Sequence, residues 1–246
     1  MSGRTIVVGD VHGCRAELER LLDRIGPGPG DALWFLGDLM DRGPDSAGVV
    51  KLVRALGAGM VCGNHDDKHV RYRRHLARRA ADPSYTVPMN PSRRFLEVHE
   101  TLSDGDLEWI AGLPRVARIA EDWVLVHGGL LPGRGLDDPK LPMKLRALDR
   151  ETGKIVALSR ARASPDSVVH WSERWTGPWN VLYGHAASRE VAARTRSWGI
   201  DTGVVFGGKL TAAVLESLDR DSKPRFLEEP AERTWWSGWD QAEENE

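Results

Sequence analysis

The chain has 246 residues, 41% of them hydrophobic, a formal net charge of −2 and two cysteines, Cys14 and Cys62. That length can bury a sizeable core in one large domain, and the near-neutral balance gives no global field for nucleic acid or an anionic membrane. No apolar run approaches the ~20 residues that span a bilayer, and two cysteines make no disulfide framework.

The first residues, MSGRTIVVGD, contain no apolar leader and run directly into a strand, so a cytoplasmic protein is expected. Short runs rich in Val, Ile and Leu predict buried strands at Thr5–Val8, Leu33–Leu36, Met60–Cys62, Val116–Ile119, Trp123–Val126, Val181–Tyr183 and Leu210–Leu215. Helical spacing separates the first three. Glu17, Leu18, Leu21, Leu22 and Ile25 form one stripe, ended by the Gly26–Gly30 run; Ala47, Val50, Val53 and Leu56 form another, ended by Gly57. This alternation predicts a βαβ start with a parallel sheet. Residues 66–112 read as a mostly helical, Arg-rich insertion. Residues 130–179 read as a loop insertion with a hairpin about Glu151–Lys154. The expected organisation is one domain over 1–218 and a polar tail, 219–246, that docks through Trp235, Trp236 and Trp239.

Each strand exit in this pattern carries side chains that could hold a metal. The first ends in GDVHGC, where Asp10 and His12 can converge on one point. The second ends in GDLMDRG with Asp38, the third in GNHDD with Asn64, and His127 and His185 follow in VLVHGG and VLYGH. Ligands gather at the C-terminal edges of strands in open α/β sheets. Oxygen and imidazole donors suit Mn²⁺, Fe or Zn rather than a thiolate site. So many donors fit two ions sharing a carboxylate, an arrangement suited to phosphoryl displacement. Asp10, His12 and Asp38 are assigned to one ion; Asp38, as bridge, joins Asn64, His127 and His185 on the other. His65 is left to act as general acid, Asp41 to orient it and keep it protonated, and Arg42 to grip phosphate oxygens.

The ordered set GDxHG, GDxxDRG, GNHD, HGG and GH resembles the phosphoprotein phosphatase branch of the calcineurin-like metallophosphoesterases. Its spacing, about 25–30 residues between the first three motifs, is similar as well. The resemblance implies an α/β sandwich of two mixed sheets flanked by helices, with a dinuclear centre at the strand ends. The ions would be Mn²⁺, with Fe, Zn, Co or Mg as other occupants. Size, GDVHGC and a GNHD without a preceding Arg resemble bacterial diadenosine tetraphosphate hydrolases, which implies symmetrical cleavage to two ADP by a metal-bound hydroxide. Cys62 stands where Ser/Thr phosphatases of this branch carry an Arg, so Arg174 or Arg189 is expected to supply that phosphate contact. GIDTGVVFGGKLTA resembles the closing segment of the same hydrolases and of polynucleotide phosphatase modules; no GxxxxGK[ST] phosphate loop accompanies it.

The expected substrate is thus a dinucleoside polyphosphate. A phosphoprotein is the alternative, with a polynucleotide end or a non-catalytic metal or nucleotide sensor behind it; a membrane or nucleic-acid partner is not expected. The HDDKH stretch imitates a zinc-protease helix but has Asp where that chemistry needs Glu. His69, His75, His99 and His170 read as solvated or packed, and the arginines Arg71, Arg73, Arg74, Arg78, Arg79, Arg93 and Arg94 as a solvated helix face. Trp171, Trp175 and Trp179 suit either loop packing or adenine stacking, and the two cysteines read as small buried fillers.

Overall fold

The computed structural model describes residues 3–136 and 143–237. Trp239, with the rest of 238–246, and residues 137–142 of the expected loop insertion lie outside the described residues.

The chain opens as β1 (Thr5–Val8), α1 (Arg15–Ile25), β2 (Ala32–Phe35), α2 (Ser46–Ala55) and β3 (Gly59–Met60). In α1 the buried positions Leu18, Leu21, Leu22 and Ile25 share one helical face. The helix ends where Gly26 turns left-handed (φ 56°) and donates its N–H to the Leu22 carbonyl. Asp45 starts α2 by accepting the Gly48 N–H. The three strands pair in parallel, with Val8 beside Phe35 and Phe35 beside Met60. Their carboxyl ends therefore open at one edge, which brings the first three motifs together.

β12 (Lys209–Leu215) pairs antiparallel with β1, and β13 (Arg225–Pro230) with β12, giving a sheet of order β13-β12-β1-β2-β3. A second sheet has the order β10-β11-β9-β5-β4, formed by Ala192–Ala193, Ser197–Gly199, Asn180–Tyr183, Trp123–Val126 and Val116–Arg118 respectively. β5 and β9 are parallel, with Val126 opposite Tyr183. His127 and His185 thus leave the sheet side by side.

Strand alternation divides the core into layers. Val7, Leu36 and Val61 face Trp123, Leu125, Leu182 and Trp198 between the two sheets. Ile6 and Val8 face the other way, against Leu18, Leu21, Val49 and Val50 of the helices. On the far side of the second sheet, Val124, Val126, Val181 and Tyr183 pack under Leu148, Val169, Trp171 and Trp175. Each fully buried side chain of this size contributes about 1.5–3 kcal/mol.

That outer layer is more ordered than a loop with one hairpin. β6 (Ala147–Asp149) and β7 (Ile155–Val156) make the hairpin about 151–154, and β8 (Val168–His170) adds a third strand, with α6 (Leu158–Ala163) between. Strands of two or three residues show no readable alternation; they hold because Leu148 and Val169 dock on the second sheet. The Arg-rich stretch forms α3 (Asn64–Ala81), α4 (Arg93–Thr101) and α5 (Asp104–Ala111). Arg71 pairs with Asp67 and Arg93 with Glu97 one turn away on exposed faces. Trp171 and Trp175 are buried in the outer layer, the packing rather than the stacking outcome. Both cysteines are buried, and burial pushes their thiol pKa values up. Of the described residues past 218, Trp235 Nε1 donates to Glu17 Oε1 at 2.9 Å, and the Trp235 and Trp236 amides donate to the Val205 carbonyl. Among the described residues no helix is long and apolar enough to cross a membrane.

Candidate metal centre and active site

Strand exits β1, β2, β3, β5 and the turn after β9 meet over the shared edge of the two sheets. Two clusters of donor atoms form there, each within 4.8 Å: His12, Asp38 and His65, and Asp38, His127 and His185. Asp38 belongs to both. Asp10 lies in neither cluster; its Oδ2 accepts the His185 amide at 3.0 Å, while its Oδ1 is buried with no hydrogen-bond partner among the described residues. Asn64 Oδ1 stands 3.1 Å from His127 Nε2. The first cluster thus has His65 where Asp10 was expected to complete the donors.

The backbone is strained here and nowhere else that is described. Every described non-glycine residue of positive φ belongs to this site: His12 (47°), Asp38 (50°), Asp41 (69°), Arg42 (70°) and His185 (67°). Such conformations cost about 1–3 kcal/mol each and persist only where surrounding contacts over-determine them. Asp66 supplies several of those contacts. Its carboxylate accepts the amides of Asp38 (2.8 Å), Leu39 (3.1 Å) and Gly63 (3.1 Å), tying the β2 exit to the β3 exit.

The donor chemistry fits divalent cations. His12 donates Nδ1–H to the Met40 carbonyl and His127 donates Nδ1–H to the Leu36 carbonyl, both at 2.8 Å. Each Nε2 is thereby turned towards the carboxylates, the orientation ligating imidazoles adopt. Asp38 Oδ2 lies 3.2 Å from His127 Nε2. Burial opposes charge on His127, but Asp38 and Asp10 outweigh it and raise its pKa to about 9. A proton is drawn to the point where acceptors crowd. Burial, and then Asp201, push the Asp10 carboxyl well above its ordinary value. His12 moves the other way: burial, then Arg42 and His65, lower it to about 3, so its Nε2 carries no proton and accepts from Arg42. An orphaned carboxylate oxygen, a second buried carboxylate and inward imidazole nitrogens together match a cation site of the O/N type.

Around the donors stand the remaining expected residues. His65 Nδ1 is 2.7 Å from Asp41 Oδ2. Burial works against the Asp41 charge, yet bonds from His65 and His69 prevail and hold its pKa well below the carboxylate range. Arg42 reaches over the site, its Nη1 3.0 Å from His12 Nε2 and its guanidinium 5.4 Å above the Phe206 ring. Arg174 sits in the outer layer, donating to the Arg150 carbonyl and lining a cleft with Arg134 and Lys154. Arg189 is exposed, four residues past His185.

Several neighbours had no role in the sequence reading. Arg146 donates to the His185 carbonyl at 2.7 Å, and Asp201 is buried with its Oδ1 on the Gly203 amide. Asp66 and His69 follow the GNH triplet directly on α3. Asp66 was legible as the fourth letter of GNHD, and Asp201 as the acid of GIDTG; Arg146 lies in a stretch with no motif at all.

The calcineurin-like phosphoesterase family profile matches residues 3–221. A protein of Chromohalobacter salexigens named symmetrical bis(5'-nucleosyl)-tetraphosphatase is 29% identical over 89% of this chain and 97% of its own. One of Vibrio parahaemolyticus with the same name is 28% identical over 84% and 93% respectively. A crystal structure presented as a candidate diadenosine tetraphosphatase superposes with a TM-score of 0.76 at 30% identity, covering 97% of this chain and 96% of that one. A Saccharomyces cerevisiae protein serine/threonine phosphatase shares the fold at a TM-score of 0.52 and 16% identity, over 94% and 83%. Fold, donor geometry and a match over most of its length agree: the chain belongs to the calcineurin-like phosphoesterases, metal-dependent hydrolases.

Proposed function

We propose that this enzyme hydrolyses diadenosine tetraphosphate, or a close dinucleoside polyphosphate, symmetrically to two nucleoside diphosphates. The observation that carries the reading is Asp38's membership of both donor clusters, joined to the name shared by the full-length relatives. Asp10, His12 and Asp38 would hold one divalent ion, and Asp38, Asn64, His127 and His185 the other, with Mn²⁺ as the preferred metal. Two such ions supply activated water and charge neutralisation for an in-line displacement at phosphorus.

The chain's own residues do the rest. Arg42 offers two parallel N–H groups to the non-bridging phosphate oxygens, its guanidinium 5.4 Å over the Phe206 ring. His65 donates Nδ1–H to the Asp41 anion, leaving Nε2 for the leaving group. A water gives one proton to solvent and its oxygen joins phosphorus as the bridging P–O bond breaks; the Nε2 proton passes to the departing diphosphate oxygen, and solvent returns a proton to His65. Asn64 would orient an ion without adding a negative charge that repels phosphate. The expected cytoplasmic location accords with a nucleotide substrate.

Product analysis tests the assignment. With Mn²⁺ present, chromatography should resolve ADP as the sole product from diadenosine tetraphosphate; release of orthophosphate from a phosphopeptide, with the dinucleotide untouched, rejects it. His65→Ala should lower kcat by about 10²–10⁴ while two ions stay bound. Undiminished turnover in that variant rejects the acid role.

A further inference from the structure

His69 lies one helical turn beyond His65 on α3 and is completely buried. Its Nε2 stands 3.0 Å from Asp41 Oδ1, while His65 Nδ1 stands 2.7 Å from Asp41 Oδ2. Two imidazoles thus grip opposite oxygens of one carboxylate. Outward, His69 Nδ1 is 3.1 Å from Nδ1 of the half-buried His99 on α4, and the His69 ring stacks on Phe95 at 4.2 Å. One set of tautomers satisfies the whole row. His99 donates from Nδ1 to His69 Nδ1, His69 donates from Nε2 to Asp41 Oδ1, and His65 donates from Nδ1 to Asp41 Oδ2.

A histidine kept only for bulk has no reason to engage both nitrogens in line, since a phenylalanine would fill the same stack. We infer that His69 is a positioning residue for the general acid, holding Asp41 so that Asp41 can hold His65. The inference rests on the proposed role of His65. A carboxylate bonded on one oxygen alone can turn about its Cβ–Cγ bond and carry the imidazole with it. A second donor on the other oxygen removes that freedom, as supporting hydrogen bonds do around metal ligands. The Asp41 backbone is fixed too: its amide donates to Ser46 Oγ at 3.1 Å, at a φ of 69°. The carboxylate plane is then the one loose coordinate, and His69 closes it. The same contact links α4, through His99 and Phe95, to the acid.

His69→Phe keeps the ring and the stack but drops the N–H; His69→Gln keeps an N–H donor within reach of Asp41. Rates on diadenosine tetraphosphate with Mn²⁺ are measured alongside proton NMR of protein carrying nitrogen-labelled histidine. The His65 Nδ1–H is the downfield signal that disappears in His65→Ala. In His69→Phe, kcat should fall about tenfold at unchanged KM, and the His65 signal should move upfield or vanish by exchange. His69→Gln should restore both. Wild-type kcat in His69→Phe, an unmoved His65 signal, or an equal loss in His69→Gln overturns the inference. Should His69→Phe fail to fold, His99→Phe carries the test, and there too an unmoved His65 signal overturns it. If His65→Ala keeps full activity, the acid reading fails, while the NMR shift still reports whether His69 orders the pair.

Discussion

Gly63 is where the β3 exit passes closest to Asp38, and Gly63→Ala isolates that approach. The backbone there, φ −87° and ψ 167°, is open to any residue, so the cost is wholly steric. An added Cβ would stand 2.1 Å from Asp38 Oδ1 and 2.3 Å from the Asp38 amide nitrogen, whereas ordinary contact begins at 3.4 Å. Because one of those atoms is backbone, no flexible side-chain end can swing aside. The two strand exits must part by about 1 Å in an interior packed as densely as a crystal. Overpacking of this kind costs about 1–3 kcal/mol of stability, and a displacement of ~1 Å in a catalytic group costs about 10²-fold in rate. Asp38 is common to both donor clusters, so both ions should feel the change. Gly63→Ala should therefore fold, hold fewer than two ions per chain, and lose about 10²-fold in kcat/KM. Gly28→Ala, with nothing within 4 Å of its added Cβ, is the control and should behave as wild type. Dialysis with elemental analysis, urea unfolding and initial rates make the measurement. A Gly63→Ala enzyme with two ions and wild-type rates would refute the claim that close passage of these exits builds the site.

Asp66→Asn swaps one acceptor oxygen for a donor facing the amides of Asp38, Leu39 and Gly63. Stability should drop by about 1–3 kcal/mol and metal affinity by about 10–100-fold; unchanged urea midpoints and metal titrations would remove Asp66 from the scaffold. His170 has its pKa lowered to about 4 by burial, with Arg146 and Arg194 adding to the effect. The unfolded chain takes up this proton near pH 6.5 and the folded one near 4, so stability should fall as pH drops through that window, by about 2 kcal/mol between pH 7 and 5. His170→Asn, which can still accept the Ser172 amide, should flatten that slope in urea unfolding; parallel slopes for the two proteins would refute it.

The strands and helices that carry the candidate ligands were legible because each has a local cause. Leu18, Leu21, Leu22 and Ile25 recur at helical spacing, Gly26 ends the helix, and the Val-rich runs stop at a glycine beside Asp10, Asp38 or Asn64. Parallel βαβ order then forces the first three exits to one edge, which brings donors far apart in the chain together. The outer three-stranded sheet was not legible. Its strands are two or three residues long, too short for a period to appear, and they exist by docking on Val124, Val126 and Tyr183.

Residue identity, then, determined which chemistry was available: oxygen and imidazole donors, a histidine to pair with a carboxylate, and an arginine. Only the folded chain decided the division of labour. It set His65 beside His12 and Asp38, left one Asp10 oxygen without a partner among the described residues, and put His69 on the far oxygen of Asp41. The reason is range. Helix and strand signals act over a few residues, whereas a side chain's hydrogen-bond partner depends on a left-handed turn at Asp38 or Asp41 and on how two sheets meet.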